Sequence, residues 1–219
     1  MLKSFLEYCK TSRTLTPELE QELSFIIEGA MKLFVQFGVK AVTMDQVSKS
    51  LGMSKKTLYK HFCNKADLVE KTFGSVQDKV QLSVLDIFHE DAGNAIDQLV
   101  NFDAFADQHF TKDMELLLNQ VVMYYPEVAQ KLNARRAEFA TKIVVLNLKQ
   151  GIEEGLYRAD MNIEHITILY LGHLVAAHQT MINPNGIDEH ELRKTSFRYH
   201  LRGIVSEQGL EYFNQHIKN

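Results

Sequence analysis

The residues best suited to chemistry lie together between positions 54 and 60, where hydroxyl, ammonium and phenol groups follow one another. The outward candidates are Ser54, Lys55, Lys56, Thr57, Tyr59 and Lys60. No carboxylate interrupts this run of sequence. These groups donate hydrogen bonds to base edges and to phosphate oxygens, so they suit a helix lying in the major groove of DNA. An isolated run of lysines usually only solvates an exposed helix, so the interpretation depends on the surrounding elements.

Two short helices joined by a tight turn are predicted to position these side chains. The first helix, at about 43–50, begins at a T-x-x-Q capping box formed by Thr43 and Gln46. The turn is Leu51-Gly52-Met53, in which glycine suits a left-handed backbone. Ser54 then caps a second helix that continues to about His61. A polar, basic helix after a glycine-containing turn is typical of the helix-turn-helix, so the second helix is predicted to read DNA.

Two residues at predicted helix starts are expected to hold the phosphate backbone. Thr43 stands at the start of the first short helix, and Lys65 follows Asn64, which caps the helix after the predicted reader. Backbone N–H groups and the positive dipole end at a helix start favour an anion. Thr43 and Lys65 are therefore predicted to be positioning contacts, which carry no sequence information of their own.

Charge is spread unevenly along the chain, although its total is only −4. Between Lys40 and Lys71 lie seven lysines and three acidic residues, a net charge of +4, whereas the other 17 basic and 25 acidic residues sum to −8. This distribution disfavours a protein that coats nucleic acid with its whole surface and favours one localised DNA-binding segment.

The stretch from Ile26 to Val69 resembles the DNA-binding domain of TetR-family transcriptional regulators. The matching features are LF-x-x-x-G, V-T-M-x-x-V-S and S-K-K-T-L-Y-K-H-F-x-N-K, and GIEEGLYRAD at 151–160 resembles the loop before the family's last two helices. The resemblance implies a homodimer, a recognition helix over 54–60 and, commonly, repression relieved by a small molecule. Carried over by position, it implies DNA contacts at Thr43, Ser54, Lys55, Lys56, Thr57, Tyr59, His61 and Lys65.

Helical periodicity extends along the chain and predicts an all-α fold of nine or ten helices. The first strong helix begins at Thr16-Pro17-Glu18 and ends at Gly38, and the last two are expected at about 162–183 and 188–206. The predicted organisation is an N-terminal extension (1–15), a three-helix helix-turn-helix DNA-binding domain (16–68) and a larger helical ligand-sensing and dimerisation domain (69–219). Residues 1–15 could add a short helix or a basic arm.

The helix from Ile163 to Met181 is apolar nearly all round, so it is expected to pack on its own core and on a partner subunit. The last predicted helix has a similar apolar stripe, and together the two are expected to build a two-fold homodimer interface. The predicted interface residues are Leu169, Gly172, Ala176, Phe197, Leu201 and Ile204.

Aromatic residues of the middle helices could line an apolar pocket with a few polar anchors, suited to a small-molecule effector of unknown identity. The candidates are Phe102, Phe105, Tyr124, Phe139, Tyr170 and His173. Plain core packing explains each of them equally well.

Enzymatic motifs do not occur in the sequence. There is no HExxH, no glycine-rich phosphate loop and no nucleophile elbow, and His173 and His178 are poorly spaced to share a helix face. The protein is therefore expected not to be an enzyme and to need no metal or cofactor. The main alternative from another class is a helical protein-interaction module that binds no specific DNA.

The expected location is the cytoplasm. Two cysteines, Cys9 and Cys63, are too few for a disulfide framework, and the first ten residues lack the apolar core of a signal peptide. The most apolar stretch, Ile166–Ile182, has 17 residues and contains two histidines, so it is expected to be a buried helix and not a membrane span.

Overall fold

The computed structural model describes residues 17–89, 92–109, 111–176 and 188–216, and these residues form ten α-helices and no strand. The helices are α1 (Pro17–Phe37), α2 (Met44–Ser50), α3 (Lys55–His61), α4 (Lys65–Ile87), α5 (Ala95–His109), α6 (Lys112–Tyr124), α7 (Pro126–Glu153), α8 (Ile163–Ala176), α9 (Glu189–Ile204) and α10 (Glu207–His216). The all-α prediction is confirmed. The predicted N-terminal extension and the turn at 183–186 lie outside the described residues.

Two compact units make up the chain. Among the described residues, the first unit contains 17–75 together with Leu117–Ala129, and the second contains those of Val76–Leu116 and those from Gln130 to His216. Part of α6 and the first residues of α7 therefore belong to the first unit. The predicted domain ranges, 16–68 and 69–219, assume continuous segments and stay a prediction.

The core of the first unit is built on one face of α1. Ile26, Ala30 and Phe34 are fully buried, as their three-four spacing predicts. The rings of Phe34 and Phe73 stack with centroids 6.2 Å apart, which joins α1 to α4. This face holds α1 against the helices that follow it in the first unit.

The second unit contains a loop that fastens its last two helices. Between α7 and α8, the chain pairs with the α9–α10 junction through Arg158 N–H to the Ile204 carbonyl and Ser206 N–H to the Leu156 carbonyl, both at 2.9 Å. This is the loop that GIEEGLYRAD predicted before the last helices. It supplies the backbone partners that the end of α9 needs.

The terminal helix α10 was not predicted from the sequence, where the last helix was expected to end near 206. Ser206 accepts a hydrogen bond from the Gly209 N–H at 3.0 Å and so caps a new helix. The helix has only ten residues, with a glycine in its first turn, so its intrinsic signal is weak. Phe213, which is buried, anchors it.

None of the helices in the described ranges is long and apolar enough to cross a membrane.

Candidate nucleic-acid interface

The helix-turn-helix geometry follows from local capping. The Thr43 hydroxyl accepts from the Gln46 N–H at 3.2 Å, and the Gln46 side chain accepts from the Thr43 N–H at 2.8 Å, which completes the predicted capping box. Gly52 has φ +65°, a left-handed conformation that starts the turn into α3. Ser54 caps α3 by accepting from the Thr57 N–H at 3.0 Å. Buried Leu58 locks α3 onto the unit's core.

One face of α3 is exposed and carries most of the predicted DNA-reading groups. Lys55, Lys56, Tyr59 and Lys60 are all exposed there, and Ser54 is exposed at its cap. Among the residues that the structure describes, Lys56 and Lys60 form no ion pair. Their ammonium groups are therefore available to donate to an approaching phosphate or base edge.

An acidic side chain from α2, ten residues before Lys55 in the sequence, lies beside this face. Asp45, on α2, contacts Lys55 Nζ at 2.9 Å with one carboxylate oxygen and Lys49 Nζ at 3.1 Å with the other. Hydrogen bonds from Lys55 and then Lys49 lower the pKa of Asp45, and the same bond raises the pKa of Lys55. Asp45 was not predicted as a site residue from the sequence, where its only local signal is the four-residue spacing to Lys49.

Three of the predicted hydroxyl contacts, those of Thr43, Ser54 and Thr57, form hydrogen bonds at the helix starts. Thr57 is half-buried, and its hydroxyl lies 2.8 Å from that of Ser54. Thr43 Oγ1 lies 3.1 Å from Gln46 Oε1, to which it donates. These hydroxyls stabilise the ends of α2 and α3, while the backbone N–H groups of the same helix starts keep the orientation that favours an anion.

His61 faces away from the exposed surface of α3. Its side chain is only 9% exposed, and Nε2 lies 3.2 Å from a carboxylate oxygen of Glu22 on α1. The resemblance to TetR-family regulators implied a DNA contact here, and that contact stays a prediction; in the structure the side chain is packed against α1 and offers little exposed surface. Glu22, 39 residues earlier in the chain, carries no local signal that could have indicated the pair.

Lys65 is also turned inward. Its ammonium donates to the Lys40 carbonyl at 2.9 Å and lies 5.7 Å from the centre of the Tyr125 ring. Partial burial lowers the pKa of Lys65. To contact a phosphate, the Lys65 ammonium must either use its remaining N–H groups or give up its hydrogen bond to the Lys40 carbonyl.

The predicted pocket residues do not all belong to one unit. Tyr124 lies in the first unit, where Lys40 Nζ is 4.7 Å from the centre of its exposed ring. In the second unit, Phe102 packs on Phe88 with centroids 5.8 Å apart, and Phe105 stacks on His109 at 3.9 Å. Tyr170 is buried and stacks on His200 at 4.1 Å, whereas Phe139 is half-buried. The side chain of His173 is outside the described part.

The predicted interface residues divide into exposed and buried groups. Leu169 is 58% exposed and Gly172 is exposed, and α8 also exposes Ile168, which the sequence analysis did not single out. Phe197 is half-buried. Leu201 and Ile204 are 0% and 1% exposed, so they belong to the core of their own chain and offer no surface to a partner. The side chain of Ala176 lies outside the described residues.

The described ranges contain no group of three or more His, Cys, Asp or Glu side chains that could hold a metal ion. Cys63 is a free, exposed thiol just after α3. The candidate site is the exposed face of α3 with the helix starts around it.

Comparison with known proteins agrees with this geometry. Residues 26–72 match the family model described as bacterial regulatory proteins, tetR family. The chain is 34% identical over 144 residues to the HTH-type transcriptional regulator YhgD of Bacillus subtilis, which covers 60% of this chain and 67% of YhgD. It is 28% identical over 152 residues to the HTH-type transcriptional repressor KstR2 of Mycobacterium tuberculosis, covering 64% of this chain and 70% of KstR2.

The fold is shared with solved regulators as well. A transcriptional regulator of the TetR family from Agrobacterium tumefaciens superimposes with a TM-score of 0.62 at 16% identity, over 85% of this chain and 99% of that one. The helix-turn-helix, the matched N-terminal family model and the similarity to YhgD over two thirds of its length agree. The chain belongs to the TetR family of DNA-binding transcriptional regulators.

Proposed function

We propose that the protein is a homodimeric repressor that binds a palindromic DNA operator with α3 and releases it when a small molecule binds the second unit. The observation that carries the proposal is the exposed basic face of α3, held by two capped helix starts around the Gly52 turn. The named function of KstR2, a repressor, supports repression as the mode of control. We propose the cytoplasm as the location, since a regulator must reach DNA.

Roles within the site follow from exposure and existing partners. Lys56, Tyr59 and Lys60 are exposed on one face, so we assign them to base reading and to the phosphates that border it. Lys55 joins them in the orientation that Asp45 gives it. The helix starts at Thr43 and Ser54 are assigned to phosphate positioning through their backbone N–H groups. Lys65 would join them only if its ammonium, which donates to the Lys40 carbonyl, also donates to a phosphate.

Pairing of two chains is required because a helix as short as α3 makes few base contacts. Two half-sites about one helical turn apart supply the missing specificity and make the operator palindromic. We assign the partner surface to the exposed face of α8 around Ile168, Leu169 and Gly172. Exposed aliphatic side chains on an otherwise well-packed helix favour burial against a second copy.

The effector is proposed to be a small, largely apolar molecule. Support comes from the aromatic side chains of the second unit, where the stacked pair of Tyr170 and His200 combines apolar rings with polar atoms. Its binding releases the operator only if it prefers the conformation that does not bind DNA.

The test is selection of binding sites from a randomised duplex library by the purified protein, followed by affinity measurements at several salt concentrations. We expect a palindromic consensus whose affinity falls steeply with salt. Lys56→Ala and Tyr59→Phe should each weaken the operator about tenfold or more and alter the preferred sequence, with a smaller effect on random DNA. Lys149→Ala, an exposed lysine of α7, is the matched control and should change neither affinity.

Two results would contradict the proposal. Failure of the wild-type protein to enrich any sequence from the library would refute specific DNA binding. Equal losses on operator and random DNA for both α3 variants would refute the base-reading roles while leaving non-specific binding in place.

A further inference from the structure

A carboxylate stands within the basic DNA-binding surface. Asp45 is bonded to the ammonium groups of two lysines, Lys55 on α3 and Lys49 on its own helix. Its side chain keeps 39% of its surface exposed, so the charge is not hidden in the core. The carboxylate is unnecessary for the capping box, which Thr43 and Gln46 complete without it. Asp45 lies in the first turn of α2, where a negative charge favours the positive end of the helix. Its bond to Lys55 additionally links the carboxylate to the exposed face of α3.

A negative charge at this place opposes the phosphate backbone. Non-specific affinity for DNA comes from replacement of counterions by lysine and arginine, and each neutralised phosphate adds about 0.9 to the slope of log affinity against log salt. Lys49 and Lys55 share Asp45 as their partner, so a phosphate that engages either lysine competes with a carboxylate already 2.9 to 3.1 Å away. Asp45 therefore lowers affinity for any DNA that offers phosphates alone.

The same bond orients Lys55. Lysine side chains are flexible, so a lysine loses conformational entropy when it is held in one rotamer on binding DNA. A partner that already restricts the lysine in the free protein reduces this loss on binding. The 2.9 Å bond to Asp45 Oδ1 gives the Lys55 ammonium, whose side chain is 62% exposed, a partner on α2 that favours one orientation. The hydrogen bonds from Lys55 and Lys49 lower the pKa of Asp45 below its ordinary range, and a carboxyl is ionised at neutral pH with or without this shift.

We propose that Asp45 is a specificity-determining residue, which positions Lys55 for base reading and penalises binding that relies on phosphates alone. This inference rests on the proposed function, because it concerns the ratio between the affinity for the operator and the affinity for random DNA. Specificity is a difference between two affinities, and a repulsive element that acts mainly on the wrong target increases that difference.

The experiment compares wild type with Asp45→Asn on the selected operator and on a random duplex, by fluorescence anisotropy at several salt concentrations. We expect Asp45→Asn to raise affinity for random DNA about five- to tenfold near 0.1 M salt and to steepen its log–log slope by about 1. Operator affinity should stay the same or fall, because Lys55 loses its orientation. The ratio of operator to random affinity should therefore fall at least about fivefold.

Three controls separate this effect from general changes. Asp45→Glu keeps a carboxylate and should retain more of the wild-type ratio than Asp45→Asn does. Asp86→Asn removes the same charge from an exposed position late in α4 and should leave the ratio unchanged. Asp45→Ser is a second neutral variant in case the asparagine variant does not fold, with helix content and melting temperature measured for each protein.

Two outcomes overturn the inference while leaving the proposed function intact. The first is an equal rise in the affinity of Asp45→Asn for operator and for random DNA, which would mean that Asp45 repels all DNA alike and adds no specificity. The second is an unchanged affinity of Asp45→Asn for random DNA. Absence of operator preference in the wild-type protein on the same duplexes is different, because it defeats the proposed function itself.

Discussion

At the scale of single residues, two tyrosines of the second unit, Tyr157 and Tyr170, have phenol pKa values that burial raises. The Tyr157 hydroxyl donates to the Ala95 carbonyl at 3.0 Å and lies 3.1 Å from Asn147 Oδ1. Tyr170 is buried against His200. Burial raises the pKa of both phenols above the ordinary value of 10, and nearby acidic groups act in the same direction. These two phenols therefore lose their protons at a higher pH in the folded protein than in the unfolded chain.

This difference predicts alkaline destabilisation. Below pH 10 both states keep the phenol proton, so these tyrosines leave the free energy of unfolding independent of pH. Above pH 10 the unfolded chain releases the proton and the folded chain does not, so the free energy of unfolding falls as pH rises. The limiting slope is about 1.4 kcal/mol per pH unit for each tyrosine.

Tyr170→Phe removes one of the two groups, so we expect its stability to fall less steeply than that of wild type between about pH 10 and pH 11. Urea unfolding at each pH measures the slope. Tyr199→Phe is the matched control, because its side chain is 76% exposed and water surrounds it in both states. Identical slopes for wild type and Tyr170→Phe would show that the phenol of Tyr170 ionises within the fold.

At the scale of elements, the junction of α9 and α10 depends on a close backbone approach. A Cβ atom on Gly209 would lie 2.0 Å from the Leu156 carbonyl oxygen, which is backbone and cannot move aside alone. A Cβ atom on Gly203, near the end of α9, would have nothing within 4 Å. The two glycines are therefore a matched pair, because the same substitution meets a clash in one and open space in the other.

Gly209→Ala is expected to lower the free energy of unfolding by about 1–3 kcal/mol, since the loop before α8 must shift to admit the methyl group. Gly203→Ala is expected to raise it by about 0.5–1 kcal/mol, because alanine loses less backbone entropy in a helix. Denaturant titration measures both. The prediction fails if Gly209→Ala is as stable as Gly203→Ala.

At the scale of the whole molecule, function is proposed to require two chains. The exposed apolar side chains Ile168 and Leu169 lie next to one another on α8, with exposures of 69% and 58%. Burial of two such side chains is worth several kcal/mol at about 25 cal/mol per Å². Charge introduced on this face should therefore separate the proposed dimer.

Ile168→Glu combined with Leu169→Lys is expected to shift the protein from dimer to monomer, measured by analytical ultracentrifugation at micromolar concentration. Affinity for the full operator should fall at least about 100-fold, because a monomer contacts one half-site. Leu82→Glu is the control, since this exposed leucine lies on α4 and not on α8. An unchanged sedimentation coefficient for the double variant would remove α8 from the interface.

Much of the candidate site could be predicted from the sequence because its geometry depends on interactions across three or four residues. The Thr43–Gln46 box, the Ser54 cap and the left-handed Gly52 turn are all local, and each is confirmed in the structure. The pattern of apolar residues in α1 likewise identified its buried face. The resemblance of Ile26–Val69 to TetR-family regulators is confirmed by the matched family model over residues 26–72 and by the similarity to YhgD.

Tertiary structure alone decided which charged side chains of the site stay free. Asp45 reaches Lys55, His61 reaches Glu22 and Lys65 reaches Lys40 across 10 to 39 residues, distances at which sequence spacing carries no orientation.

The same holds for the helices of the second unit. Both α8 and α9 have apolar residues that sequence periodicity assigned to a partner subunit, yet Leu201 and Ile204 are buried in their own chain while Leu169 is exposed. The sequence determined the helices other than α10, the caps around the Gly52 turn and the DNA-binding motif, because short-range hydrogen bonds and periodicity encode them. Only packing decided which faces and which lysines remain available, because burial depends on neighbours distant along the chain.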